Sequence, residues 1–288
     1  MNDSPWREKK FDTWTEFRDY LEGDLHPAYT LFRGQRDEKW GLQTSLDRLL
    51  GSLPVKFKTE DLVKIHYNRF VKAARGRGTN SNNNSEENWW ALGQHHGLAT
   101  PLLDWSESPY IAVYFAFSSP EPSSSGYRSV WALVPNALEL ANKDVLGEEE
   151  RAKENEGAES FYADFLEKSR PPVVHIVEPL SDDNPRLVNQ AGLFTRAPIG
   201  MNLEQWVERH SKIFKVPVLQ KFLIPDDERF DALIALQKMN IHSQSMFPDL
   251  SGASTYCNEV LSLHAEELQV NQHAREILDE LEVLENKI

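Results

Sequence analysis

Cysteine occurs once in the 288 residues, as Cys257, so neither an internal disulfide nor a cysteine-rich metal cluster can form. Long apolar runs are missing too. No window approaches the ~20 residues that span a bilayer, so no membrane crossing is expected. The first ten residues, Met1 to Lys10, hold no apolar stretch of signal-peptide type, and the cytoplasm is the expected compartment. Positive charge is in short supply: 31 Lys and Arg face 45 Asp and Glu, a net −14 that disfavours broad adhesion to nucleic-acid phosphates. A local basic groove stays open. Arg69, Lys72, Arg75 and Arg77 form one basic concentration, which reads first as the solvated face of a helix. Several enzyme signatures are also absent: the phosphate-binding Gly-x-x-x-x-Gly-Lys-Ser/Thr loop, the dinucleotide Gly-rich turn and the Gly-x-Ser-x-Gly elbow. His95, His96 and Asp104, joined by His175 or His242, match no familiar zinc spacing, and no metal is expected.

Hydrophobic residues make up 40% of the chain, enough for a substantial core, and their spacing predicts mixed α and β structure. Helices are expected at Thr13–Leu21 with Thr13 as cap, Thr59–Ala74, a segment capped by Ser85 and closed by Gly97, and Pro109–Phe117 capped by Ser108. Two more are expected at Asp226–Met239 and Gly252–Leu268, with a charged final helix from about Gln272 that docks on its own domain. Strands are expected at Tyr29–Phe32, Val130–Val134, Val173–Val177, Arg186–Phe194 and Val218–Ile224. Strands and helices do not alternate regularly, which favours α+β over a doubly wound sheet. Residues 1–268 are read as one domain, with 147–169 as a polar, acidic insertion and 269–288 as the charged terminal helix.

The densest polar chemistry lies between Trp89 and Phe117, taken with Leu31-Phe32-Arg33-Gly34-Gln35. Phe32-Arg33-Gly34-Gln35, then Gln94-His95-His96-Gly97, Thr100, Leu102-Leu103-Asp104-Trp105-Ser106 and Ser108-Pro109 resemble the FRG domain family. Gln190-Ala191-Gly192-Leu193-Phe194 and Met246 to Gly252 are similar to its later motifs. The chain departs from the family's common Thr-Arg-Leu-Leu-Asp-Trp at Pro101, which removes a positive charge and a backbone donor. Arg33 and Arg36 are the obvious substitutes. The family is associated with mobile and defence-related bacterial genes, which implies a toxin or phage-defence setting.

One step further out, the order of residues resembles mono-ADP-ribosyltransferases: a strand ending in Arg, a second strand with Ser or Thr leading into an apolar helix, and a third with Glu or Gln. That resemblance implies a single α+β domain with a central, mainly antiparallel split sheet. It also implies NAD as substrate, with transfer to a nucleotide, nucleic-acid or protein acceptor. Arg33, His95, Asp104 and Gln190 are the catalytic candidates, and Arg33, Gly34, Gln35, Thr100, Trp105, Ser106 and Phe194 the candidates for holding NAD. Arg33 offers a planar fork of donors for a phosphate or ribose, or a structural ion pair at a strand end. His95 and Asp104 are candidate bases, or groups that satisfy a helix end and a turn. Trp105 offers a stacking face, or core packing. Thr100 and Ser106 offer hydroxyls to a pocket, or cap helices. Gln190 cannot take a proton, so a base has to come from elsewhere. The alternative to an enzyme is a module that binds a nucleotide or modified base without turnover.

Overall fold

The computed structural model describes residues 6–54, 59–77, 85–155, 173–178, 192–214 and 217–285. Its strands are β1 (Trp6–Lys10), β2 (Leu31–Gln35), β3 (Leu103–Ser106), β4 (Tyr127–Leu133), β5 (His175–Val177), β6 (Gly192–Arg196) and β7 (Leu219–Pro225). Among the described residues they form one open seven-stranded sheet in the order β1-β7-β4-β2-β3-β6-β5. Every pairing is antiparallel except β1 with β7. With helices around it, the chain is α+β, as expected.

The longer helices are α1 (Trp14–Gly23), α2 (Ser45–Gly51), α3 (Thr59–Ala74), α4 (Glu86–His95), α5 (Pro109–Phe117), α6 (Pro135–Asn155), α7 (Leu203–Arg209) and α8 (Arg229–Lys238). They are followed by the short α9 (Ser243–Met246) and by α10 (Leu250–Glu285). No described helix is long and apolar enough to cross a membrane.

Side chains alternate across the strands, and the two faces bury different sets. Phe32, Val130, Ala132, Phe222 and Ile224 pack with Phe11, Phe17 and the almost wholly apolar α5. Leu31, Trp131, Leu133 and Leu219 face the other way, against α6 and α7, together with Leu103 and Trp105 of β3. The helix starts follow from local chemistry. Thr13, Ser85 and Ser108 each accept a hydrogen bond from a backbone N–H three residues on, and Pro109 sits in the first turn of α5, where its missing N–H costs nothing. Because the Ser108 cap sits on the central helix, Ser108→Ala is expected to lower stability by about 1 kcal/mol in urea melts with the fold retained. An unchanged midpoint would show that the cap adds nothing to this helix.

Some expectations need correcting. β1 has no counterpart among the expected strands. The expected break between Leu268 and Gln272 is absent: α10 runs unbroken across residue 269, because polar residues interrupt the apolar pattern there but no Gly or Pro interrupts the backbone. Of the polar stretch 147–169, residues to Asn155 continue α6, and 156–169 lie outside the described residues. Arg69, Lys72, Arg75 and Arg77 are exposed on or just after α3, in line with a solvated face.

Candidate functional site

β2 is the strand from which the site is built. On one side it pairs with β4 over five register positions, Leu31 to Gln35. On the other it meets β3 at a single position, Phe32 opposite Ser106. Beyond that pair the strands splay, and the Arg33 side chain bridges the gap. Its Nη1 donates to the backbone oxygen of Asp104 at 2.9 Å and to Asp104 Oδ2 at 3.3 Å. Gly34, on the opposite face, lets the backbone of α5 lie directly on β2. A Cβ at Gly34 would collide with the carbonyl of Ala112 and come within 2.6 Å of Ala116 N. Gln35 is buried, donating to Gly41 O at 3.0 Å and accepting from Trp131 Nε1 at 2.9 Å, which ties the loop after β2 to the sheet.

α4 supplies the next component. It ends in a Schellman arrangement: Leu98 N donates to Gly93 O, Gly97 N donates to Gln94 O, and Gly97 takes φ 84°, which suits glycine. That turn brings Thr100 back beside the last helical turn. Thr100 is fully buried; its N–H donates to Ser45 Oγ at 3.0 Å and its hydroxyl donates to Gln94 Oε1. Gln94 Nε2 in turn donates to Asp104 Oδ1. The residue reaching Asp104 from this helix is therefore the neighbour of His95. His95 itself is half-buried on the last turn, its ring edge-on to that of the exposed His96 at 4.8 Å.

At the end of β2 opens a cleft of about 660 Å³, lined by Arg33, Gly34, Gln35, Arg36, Lys39, Trp40, Gly41, Gln43, Arg48, Phe115 and Ser119. Four of these are cations and none is a carboxylate. Among the described residues, Arg33 Nε and Arg36 Nε are buried with no hydrogen-bond partner. Burial lowers the pKa of Arg33 from its ordinary value, Asp104 opposes this, and the nearby Arg48 adds to the lowering. Arg33 still stays charged, since a guanidinium keeps its proton in proteins. Arg36 pairs with Glu121 at 3.2 Å and lies over the Trp40 ring at 5.0 Å, and that indole is 47% exposed.

The sequence candidates thus divide. Arg33, Gly34 and Gln35 line the cleft, and Asp104 touches Arg33. Thr100 braces Gln94 from within the core. Trp105 is only 2% exposed and donates to Thr195 Oγ1, so its ring packs in the core and offers no stacking face; Trp40 is the aromatic that does. Ser106 is buried and accepts from Ser108 N, and Phe194 is buried with Leu46, Val63 and Trp90. Gln190 and Arg186 lie outside the described residues. Lys39, Trp40, Gln43, Arg48 and the bracing role of Gln94 went unread. Only Trp40 carried a local signal, as a lone indole among charges just past a strand end. Among the described residues, no group of three or more His, Cys, Asp or Glu is placed to hold a metal ion.

Residues 28–125 match the family model of the FRG domain. This chain contains an FRG domain. Every residue lining the cleft falls inside that match, so the cleft belongs to the FRG domain, while β4 to β7 extend the same sheet beyond it. The later motif resemblances, at Gln190–Phe194 and Met246–Gly252, lie outside the matched range. No curated protein and no solved structure matches the chain.

Proposed function

We propose that the FRG domain binds a nucleotide in the Arg33 cleft, with phosphates on Arg33, Arg36, Lys39 and Arg48 and the base against Trp40. The observation that carries this reading is the charge of the cleft. A chain of net −14 gathers four cations and no carboxylate along the lining of one concavity. Phosphate oxygens suit the planar donor forks of arginine, and an exposed indole suits a base face. Titration calorimetry with NAD, ADP-ribose, ADP and pyrophosphate tests it. Binding is expected to weaken as salt rises, and Arg48→Ala is expected to weaken ADP about tenfold or more, the loss of a charge-assisted hydrogen bond. No binding by any of the four probes, or full affinity in Arg48→Ala, would sink the proposal.

A second reading is favoured by the splay between β2 and β3, which sets Arg33 on one strand against Asp104 and Ser106 on the next. That order is similar to ADP-ribosyltransferases, and it supports NAD as substrate with transfer to a nucleic-acid or protein acceptor in a defence or toxin setting. In such a reaction the bond between nicotinamide and ribose breaks, nicotinamide leaves with the bonding pair, and the acceptor's nucleophile bonds to the ribose carbon. Arg33 would hold the diphosphate, and Asp104 is the nearest carboxylate to receive the acceptor's proton. Mass-resolved NAD turnover with protein, RNA and DNA acceptors separates the two readings. Nicotinamide release with ADP-ribose on an acceptor, lost in a folded Arg33→Ala variant, is the enzymatic outcome; NAD bound and recovered intact is the binding module.

A further inference from the structure

Resting on the reading that phosphates occupy the cleft, we propose that Gln94 is a positioning residue that aims Arg33 at them. Among the described residues Arg33 is held through one nitrogen: Nη1 takes both the backbone oxygen and Oδ2 of Asp104. Its Nε is left without a partner among the described residues. With Nη1 anchored on the backbone oxygen, the rotation of the guanidinium about that contact depends on where the Asp104 carboxylate stands. Asp104 is on the short strand β3 with a side chain 60% exposed, so packing alone does not fix it. The Gln94 amide does. Its Nε2 donates to Oδ1, which turns Oδ2 toward Arg33.

The amide is fixed in its turn. With Nε2 on a carboxylate, Oε1 faces the Thr100 hydroxyl, which donates to it; a flipped amide would set oxygen against oxygen at Asp104. Thr100 is buried, and both its backbone groups are tied to the start of α2, N–H to Ser45 Oγ and C=O to Leu46 N at 3.2 Å. α2 also carries Arg48, a second cation of the cleft. A chain of contacts thus runs from α2 through Thr100, Gln94 and Asp104 to Arg33, fixing the spacing of two guanidinium groups that repel each other.

The test uses the full chain with 15N-labelled arginine, reading the Nη–H signals of Arg33, assigned with Arg33→Lys, beside calorimetry with ADP and pyrophosphate. In the wild type the Arg33 signals are expected to be split by slow rotation about the Cζ–Nη bond. In Gln94→Ala they are expected to collapse while the fold persists, and ADP and pyrophosphate to bind about tenfold more weakly. Gln94→Glu adds a readout that a merely structural role would not move. At low pH the new carboxyl is protonated and donates to Asp104 as the amide did, so affinity relative to wild type at the same pH recovers. At higher pH two carboxylates face each other and the deficit returns. Wild-type signals and affinity in Gln94→Ala, or a Gln94→Glu deficit indifferent to pH, would overturn the role of Gln94. A wild type that binds neither probe would overturn the phosphate reading instead, and the Arg33 signals would still decide whether Gln94 holds that side chain.

Discussion

Gly34→Ala is expected to cost about 4 kcal/mol or more, a large share of the stability of an ordinary domain, and to be seen as insoluble protein or a much lowered urea midpoint. One methyl group has this effect because of what it meets. The space beside Gly34 is filled by the carbonyl of Ala112 and the amide of Ala116, main-chain atoms of α5 that cannot swing aside as a side chain would. Ala112 and Ala116 are themselves small and buried, so helix and strand already touch backbone to backbone. To admit the methyl, α5 would have to lift from the sheet, opening the contacts of Phe32, Val113 and Phe117 in the same core. Pairing the substitution with Ala112→Gly should give no relief, since the obstacle is the carbonyl. A Gly34→Ala protein within about 1 kcal/mol of wild type would show that the helix yields easily.

Arg128→Met is expected to cost about 3–5 kcal/mol, as the loss of one partner from a buried ion pair usually does. The Arg128 side chain is 1% exposed and satisfies four acceptors at once. Nε donates to Asp226, Nη1 to the carbonyls of Ala116 at 2.8 Å and Ser119 at 2.9 Å, and Nη2 to that of Glu121 at 3.0 Å. Methionine fills much of the volume but takes the donor from the Asp226 carboxylate and from the carbonyls of Ala116 and Glu121, while Ser119 O keeps Arg229 Nε at 3.3 Å. Burial disfavours the charge of Arg128 and Asp226 compensates, so the double variant Arg128→Met with Asp226→Leu should recover part of the loss. Urea melts of the four proteins measure this coupling, and strictly additive losses would mean that the pair does not act as one unit. The loop that Arg128 ties down carries Ser119, on the cleft wall, and Glu121, the partner of Arg36. The variant is therefore expected to bind ADP less tightly even where it remains folded.

What could be read from the sequence was what short-range chemistry decides. The starts of α1, α4 and α5 were legible because Thr13, Ser85 and Ser108 act on N–H groups three residues away. Arg33, Gly34 and Gln35 stood out because a charge, a glycine and an amide close an apolar strand. What the sequence hid was convergence. Arg48 comes from a helix that the pattern did not announce, and Trp40 from a loop, and they meet Arg33 only when the sheet assembles. Trp105 was ambiguous between a stacking face and core packing, and the pairing of β3 with β6 turned it inward, onto Thr195. β1 escaped notice because Trp-Arg-Glu-Lys-Lys has no apolar alternation, and an edge strand with charged side chains needs none.

That edge strand also sets a timetable. Trp6 is aligned with Leu219 and Lys10 with Leu223, so β1 has no native partner until more than two hundred further residues have been made. At roughly 5–20 residues per second, synthesis alone separates the two by about ten to forty seconds. The rings of Phe11 and Phe17, which end up at 6.1 and 5.5 Å from that of Phe222, wait through the same interval. That apolar cluster is thus made long before it is covered, and the FRG-domain segment, matched up to residue 125, is made well before the sheet that supports it can close.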